Sequence, residues 1–382
     1  MKKLLIATAA LAMVAGTAQA QSTVTVYGSI DAGYSSVEGK VTTVSSGATV
    51  KTTNAGIAQS SDVSSRWGIR GSEDLGGGMK ANFNVETSIG SGSNGALNSN
   101  TDATGAWTHA TNVGNRAMWA GISTAGGLEV RGGLQNQFIR DAALNNADGT
   151  TNVAGNILAG NSSVFANRHN AISVTQTMGA VKFGAAMTGK STEVTNTADV
   201  DAGKGYELMA RYAQGPLQID GAYRKVDNKS AAVTATGLYA GAARISDSDL
   251  GVAAVAAVNT ETETTVISAS YNFGPVKAFA GYGTQDVLTV SSGAKSEREV
   301  MTFGVNGNIT PATQLFATYS TGETKANATA AALDIDGYVV GARYSLSKRT
   351  TAYAIYGTTD TNTSTTAKTE VKQYAVGINH AF

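Results

Sequence analysis

The chain has 382 residues, with 28 basic and 28 acidic side chains, 45 glycines, 3 prolines and no cysteine. Such balanced charge excludes the basic footprint of a nucleic-acid binder. Beyond the N-terminal segment no apolar run approaches the roughly 18 residues of a transmembrane helix. That leaves an exported soluble protein or a closed β-barrel, the other structure that satisfies its backbone in lipid.

In chain order, the first element is an address. Lys2 and Lys3 precede the apolar stretch Leu4 to Ala15, and Ala18-Gln19-Ala20 has the small-x-small pattern of a cleavage site. Residues 1–20 read as a signal peptide and 21–382 as the mature chain. Its loss takes two lysines away and leaves a slightly acidic protein.

From there the chain alternates with period two, the mark of strands with two unlike faces. Val24, Val26, Ile30, Ala32 and Tyr34 share one parity, and Thr23, Thr25, Ser29 and Asp31 the other. The same pattern returns over Thr264–Phe273 and from Gln373 to Phe382. Short turns are predicted at Asp74–Gly78, Thr124–Gly127, Met178–Ala180, Gln214–Pro216, Phe273–Pro275, Ile309–Ala312 and Leu346–Thr350. Glycine or proline sits in most of them, as tight reversals require. Longer polar connections are predicted at 36–59, 90–113, 137–167, 191–203, 228–261, 287–297, 324–335 and 361–369.

Seven short turns and eight long loops imply sixteen strands. Short turns on one rim and long loops on the other are the habit of outer-membrane barrels. Barrels of about 16 to 18 strands enclose an aqueous channel. The fold class is therefore all-β, a 16-stranded antiparallel transmembrane barrel with short periplasmic turns and long extracellular loops. A solenoid needs a fixed repeat, and none is present. A β-sandwich needs no aromatic girdle, whereas Tyr27, Tyr34, Phe83, Tyr206, Tyr212, Tyr271, Phe273, Tyr282, Tyr338, Tyr344, Tyr353 and Phe382 recur at predicted strand ends.

Strand parity assigns the lumen side. Arg66, Arg70, Lys80, Arg131, Lys182, Arg211, Arg224, Lys277 and Arg343 fall on inward positions, and Arg116 has the parity opposite to Trp119. The inward acids are Asp31, Glu86, Glu129, Glu207 and Asp220. The wall thus carries an excess of positive charge, and the balancing acids are expected in loops and turns. Arg66, Arg116 and Arg131 sit away from the rims on neighbouring strands, where clustered charge in a narrow pore focuses the field on counter-ions.

Several stretches resemble the Gram-negative general-diffusion porins of the β-proteobacterial and Neisserial type. Val26-Tyr27-Gly28-Ser29-Ile30-Asp31-Ala32-Gly33 is similar to that family's opening strand, and Ser65 to Ala81, around Glu73-Asp74-Leu75-Gly76, to its most recognisable hairpin. Asn115 to Ile122 is similar to its fourth strand, Tyr344 to Thr350 to its last turn, and Val376 to Phe382 to its closing strand. At Gly133-Leu134-Gln135 the family's Gly-Arg-Gln has lost its arginine.

The resemblance implies a homotrimer, general diffusion of small hydrophilic solutes, and a third loop, about 137–167, folded into the pore. With that loop folded in, Arg66, Arg116 and Arg131 of the wall and Arg168, Asp141 and Asp148 of the loop are the expected constriction, and the inward excess of basic over acidic residues predicts a weak anion preference. Outer-membrane lipid, lipopolysaccharide and the barrel-assembly machinery are the expected partners, and terminal Phe382 the assembly signal.

An enzyme built on a barrel is the competing class. His109, His169 and His380 show no metal-ligand spacing, and no nucleophile motif or phosphate-binding loop is present. The expectation is a channel with no cofactor, no metal and no catalytic site. A substrate-specific channel or an adhesin with recognition in the loops 36–59 and 228–261 is the third class.

Overall fold

The computed structural model describes residues 22–89, 114, 116–145, 152–158, 163–189, 202–229, 259–327, 329–364 and 367–382. The signal peptide, His109 and Asp148 lie outside the described residues. The elements are β1 (Thr23–Thr43), β2 (Thr49–Gln59), β3 (Arg66–Gly76), β4 (Met79–Ser88), β5 (Ala117–Ser123), β6 (Leu128–Asn136), α1 (Phe138–Asn145), β7 (Arg168–Met178), β8 (Val181–Thr188) and β9 (Ala202–Gln214). They continue with β10 (Leu217–Lys229), β11 (Asn259–Asn272), β12 (Val276–Thr289), β13 (Ala294–Asn308), β14 (Thr313–Lys325), β15 (Leu333–Ser345), β16 (Thr350–Ser364) and β17 (Ala367–Ala381).

Every strand pairs antiparallel with its neighbour, and β17 returns to pair with β1 from Ser29↔Ala381 to Thr43↔Ala367. No edge is left, which is what lipid demands of a sheet. Both β2 and β3 pair with the same long β1, at Ala32↔Gln59 and Ser29↔Arg66 respectively, so they are two halves of one stave. The barrel has sixteen staves, as the turns imply. All seven short turns fall where the sequence places them.

The break in that stave is a bulge at 60–65. Ser60 takes φ 63, a left-handed conformation uncommon for a residue with a side chain. The Asp31 carboxylate holds the bulge by accepting from the N–H groups of Ser61 (3.1 Å), Asp62 (3.2 Å) and Val63 (2.9 Å) and from the Tyr353 hydroxyl (2.7 Å).

On the outer face, exposed apolar side chains such as Ile267, Phe303, Val340 and Val376 lie between two aromatic girdles. Tyr212, Tyr271, Phe273, Tyr344 and Phe382 mark the short-turn side, and Tyr34, Tyr206, Tyr319, Tyr338 and Tyr374 the other.

The strands then continue past the second girdle. Segment 36–59, expected as a loop, is a β-hairpin, and much of 287–297, 324–335 and 361–369 is strand as well. The outward parity in these arms is charged rather than apolar. It carries Glu38, Lys40, Lys225, Glu261, Glu263, Asp286, Lys295, Glu297, Glu323, Asp336, Glu370 and Lys372, joined by pairs such as Lys225 Nζ–Glu263 Oε1 (3.0 Å) and Lys295 Nζ–Glu297 Oε1 (2.8 Å). Acids expected in loops and turns thus stand on the outer face of strands.

Candidate functional site: a constriction between the third loop and the wall

The third loop turns into the barrel. Ile139, Ala142 and Ala143 of α1 are buried against a lumen-facing band of Ala171, Ala186, Ala222, Val266, Val300 and Ile335. A wall that met only water would not carry such residues inward. The loop is further held by hydrogen bonds from fixed wall groups. The Phe138 N–H donates to Glu207 Oε2 (2.5 Å), Ser268 Oγ donates to the Ala142 carbonyl (2.5 Å), and the Ala154 N–H donates to Gln373 Oε1 (3.1 Å).

Residues 152–158 dock so closely on β15 and β16 that a methyl at Gly357 would lie 2.0 Å from the Ala154 carbonyl. Glycine is therefore required there for close backbone approach. Ser64 of the bulge meets Asn152 at 3.3 Å, so the bulge also abuts the loop.

Strand parity sets the face of Glu207 but not its partners. It is fully buried, with Arg224 Nε at 3.0 Å and His169 Nδ1 at 3.4 Å. No acid is near His169 in sequence, and the fold supplies one. The carboxylate thus neutralises a wall arginine and caps the N-terminus of α1 at once.

Between α1 and the wall of β3 to β9 lies a cavity of about 400 Å³. It brings together Arg66, Arg116, Arg131, Arg168 and Asp141, as the sequence leads one to expect, with Lys182, Arg211, Glu86 and Glu129 from the wider set of wall charges. It also contains Arg140 and Trp119, which the sequence reading missed. Arg224 and Asp220 are inward but do not line this cavity, Arg70 lies over the Tyr27 ring (5.0 Å to its centroid), and Arg343 is across the barrel. Asp62, carried inward by the bulge, takes Arg343 Nη2 at 2.7 Å.

Among the described residues, seven cations and three carboxylates line the cavity. Arg116 Nε lies 2.7 Å and Arg66 Nε 3.5 Å from Glu86. Arg131 is bidentate on Glu129 (2.8 and 2.9 Å), and Arg211 is held by Asp220 (2.5 Å). Among the described residues no carboxylate lies within ion-pair distance of Arg140, Arg168 or Lys182. Arg140 donates to the Ala166 carbonyl. Burial, then repulsion by Arg116, push its guanidinium down to about 10, so it remains charged at neutral pH. The Asp141 carboxyl, held by Asn136 Nδ2 at 2.9 Å, is raised by burial.

Two readings of parity need correction. Arg116 precedes β5, so its inward direction comes from its Glu86 contact and not from the strand. Within β5 the inward residues are Ala117, Trp119, Gly121 and Ser123, and Trp119 faces the lumen. Leu134, at the place of the missing arginine, pairs with Met118 on the lipid side, so its apolar character removes no charge from the pore. Among the described residues there is no cluster of metal-ligating side chains and no helix long and apolar enough to cross a membrane.

A closed barrel of sixteen staves with lipid-facing girdles, narrowed by an inward loop, is the architecture of a transmembrane pore. The chain belongs to the Gram-negative porin family, whose model matches residues 7–364, and its place is the outer membrane. It is 43% identical over 97 residues to an outer membrane porin protein of Bordetella pertussis, covering 24% of this chain and 25% of that protein. It is also 43% identical over 89 residues to outer membrane porin protein 32 of Delftia acidovorans, covering 23% of each. These matches span about a quarter of either relative's length. Among solved structures, the anion-selective porin from Comamonas acidovorans superposes with a TM-score of 0.67 at 20% identity, over 95% of this chain and all of that one. The trimer form of OmpT from Vibrio cholerae gives 0.63 at 14% identity, over 94% and 99%.

Proposed function

We propose that the protein is a passive, water-filled channel for small hydrophilic solutes that prefers anions. The observation that carries this is the excess, among the described residues, of seven cations over three carboxylates around the narrowing, with no described carboxylate in ion-pair distance of Arg140, Arg168 or Lys182. In a constriction walled by low-dielectric protein such charges lower the free energy of an entering anion and raise that of a cation. The solved porin from Comamonas acidovorans is described as anion-selective, which supports the same sign.

The working unit is a homotrimer, a reading supported by the family and by a similar porin described in trimer form. Residues 1–20 direct export as a cleaved signal peptide. Phe382 serves the assembly machinery: its backbone exchanges hydrogen bonds with Gly28 (3.1 and 3.0 Å) and its ring covers that glycine. Lipid and lipopolysaccharide surround the barrel, and the chemistry is transport rather than catalysis.

The test is the reversal potential of the purified channel in a planar bilayer under a potassium chloride gradient. The expected result is stepwise conductance with a chloride-side potential. Cation preference refutes the selectivity, and a folded barrel that passes no current refutes the channel.

A further inference from the structure

Trp119 is the one large aromatic of β5, and it faces water rather than lipid. Trp67, by contrast, stands exposed on the outer face of β3. An indole facing an aqueous lumen loses the burial that normally stabilises so large an apolar ring. Its surroundings give it a use. Arg131 lies over the ring with its guanidinium carbon 4.2 Å from the centroid, and two hydrogen bonds to Glu129 fix that guanidinium in place.

The strand opposite Trp119 presents Gly133, at φ 125, so no side chain stands beside the ring on that neighbour. Gly121 faces Arg131 in the same way, and the arginine stem fills the space its Cβ would take. A flat indole with a fixed cation on it thus lines the same cavity as Arg140 and Arg168, which have no carboxylate partner among the described residues.

The geometry points to a stacking subsite for planar aromatic anions, such as aromatic carboxylates, at Trp119 and Arg131. The ring of the solute packs on the indole and guanidinium planes, and its carboxylate is held by Arg140 and Arg168. Compact inorganic anions use only the charges. This rests on the reading of the site as an anion-preferring channel, but it concerns discrimination among anions of equal charge.

The experiment uses the whole purified channel in a planar bilayer in potassium chloride. Benzoate and cyclohexanecarboxylate, equal in charge and similar in size, are compared by the concentration that halves the single-channel current. The expected half-blocking concentration is about three- to tenfold lower for benzoate, the range that aromatic stacking contributes. In Trp119→Leu the ratio falls to near one, whereas Trp119→Phe keeps it above one. Each ratio is internal to its variant, so a change in bare conductance cancels. A wild-type ratio of one overturns the subsite, and this holds even if Trp119→Leu yields no pores. A ratio that survives Trp119→Leu unchanged also overturns it. Loss of anion preference in potassium chloride, measured separately, is instead the failure of the channel reading.

Discussion

The lumen wall and the outer face of the extended strands carry similar numbers of charges but use them differently. At the constriction the cations are mainly arginines, half-buried or buried, tied to single carboxylates or, among the described residues, without one. On the outer arms the cations are lysines such as Lys40, Lys225, Lys295 and Lys325, partly exposed on the outer face and set among an excess of acids. Arginine holds its planar fork and its charge when desolvated, whereas lysine is strongly hydrated and suits a wet surface. The lesson is that total charge says little about a channel. The same ion pairs are screened within about 8 Å in saline on the outside, and far less in the narrow interior.

The largest effect is expected at Glu207, which fixes the loop to the wall. Glu207→Ala leaves Arg224 buried without its partner, a loss of about 3–5 kcal/mol, and removes the cap of α1. Single-channel conductance should rise and anion preference should fall. The double variant with Arg224→Ala should recover the thermal stability but not the selectivity. Recovery of both would mean that Glu207 only balances charge.

Next come two cations of the constriction. Neutralising Arg140 and Arg168 to Gln should move the reversal potential toward cations, and the more so as ionic strength is lowered. Neutralising Lys225 and Lys295 should leave it almost unchanged at physiological salt. Equal shifts in the two double variants would abolish the distinction between interior and exterior charge.

A smaller effect follows from Asp141. Because burial raises its pKa, it takes up a proton above the pH at which an ordinary carboxyl does. As pH falls toward that window the constriction loses one negative charge, so anion preference should strengthen. Asp141→Asn should start at the stronger preference and lose that part of the pH dependence. A wild-type potential flat in pH, or an Asn variant with the same slope, would refute the assignment.

The smallest effect is reserved for the outer arms. Lys295→Gln breaks contacts to Asp286 and Glu297, yet exposed pairs of this kind are worth about 0–1 kcal/mol. Its melting temperature in detergent should stay close to that of the wild type.

Much of this was legible in the chain. Side chains alternate faces along a strand, so every inward charge assigned by parity within a strand, from Arg66 and Glu86 to Arg211 and Arg343, does face the lumen. The turns were legible because reversals need glycine, proline or polar residues in fixed places. Trp119 was misplaced because parity was carried across from Arg116, which lies before the strand begins. The loop at 36–59 was misread because polar outward residues look alike in a loop and in a hairpin that has left the membrane. The inward band of Ala171, Ala186, Ala222, Val266, Val300 and Ile335 was a signal for the seat of the third loop, dispersed over strands far apart in sequence.

The sequence by itself determined the barrel, its stave number and the sign of its wall, because strand faces and turns are set by neighbouring residues. Only the tertiary structure decided which charges matter. The approach of His169 to Glu207, the pairing of Asp62 with Arg343, and the entry of Arg140 into the cavity join residues tens to hundreds of positions apart. No local pattern encodes such contacts, since they depend on where a closed sheet and an inward loop bring distant segments together.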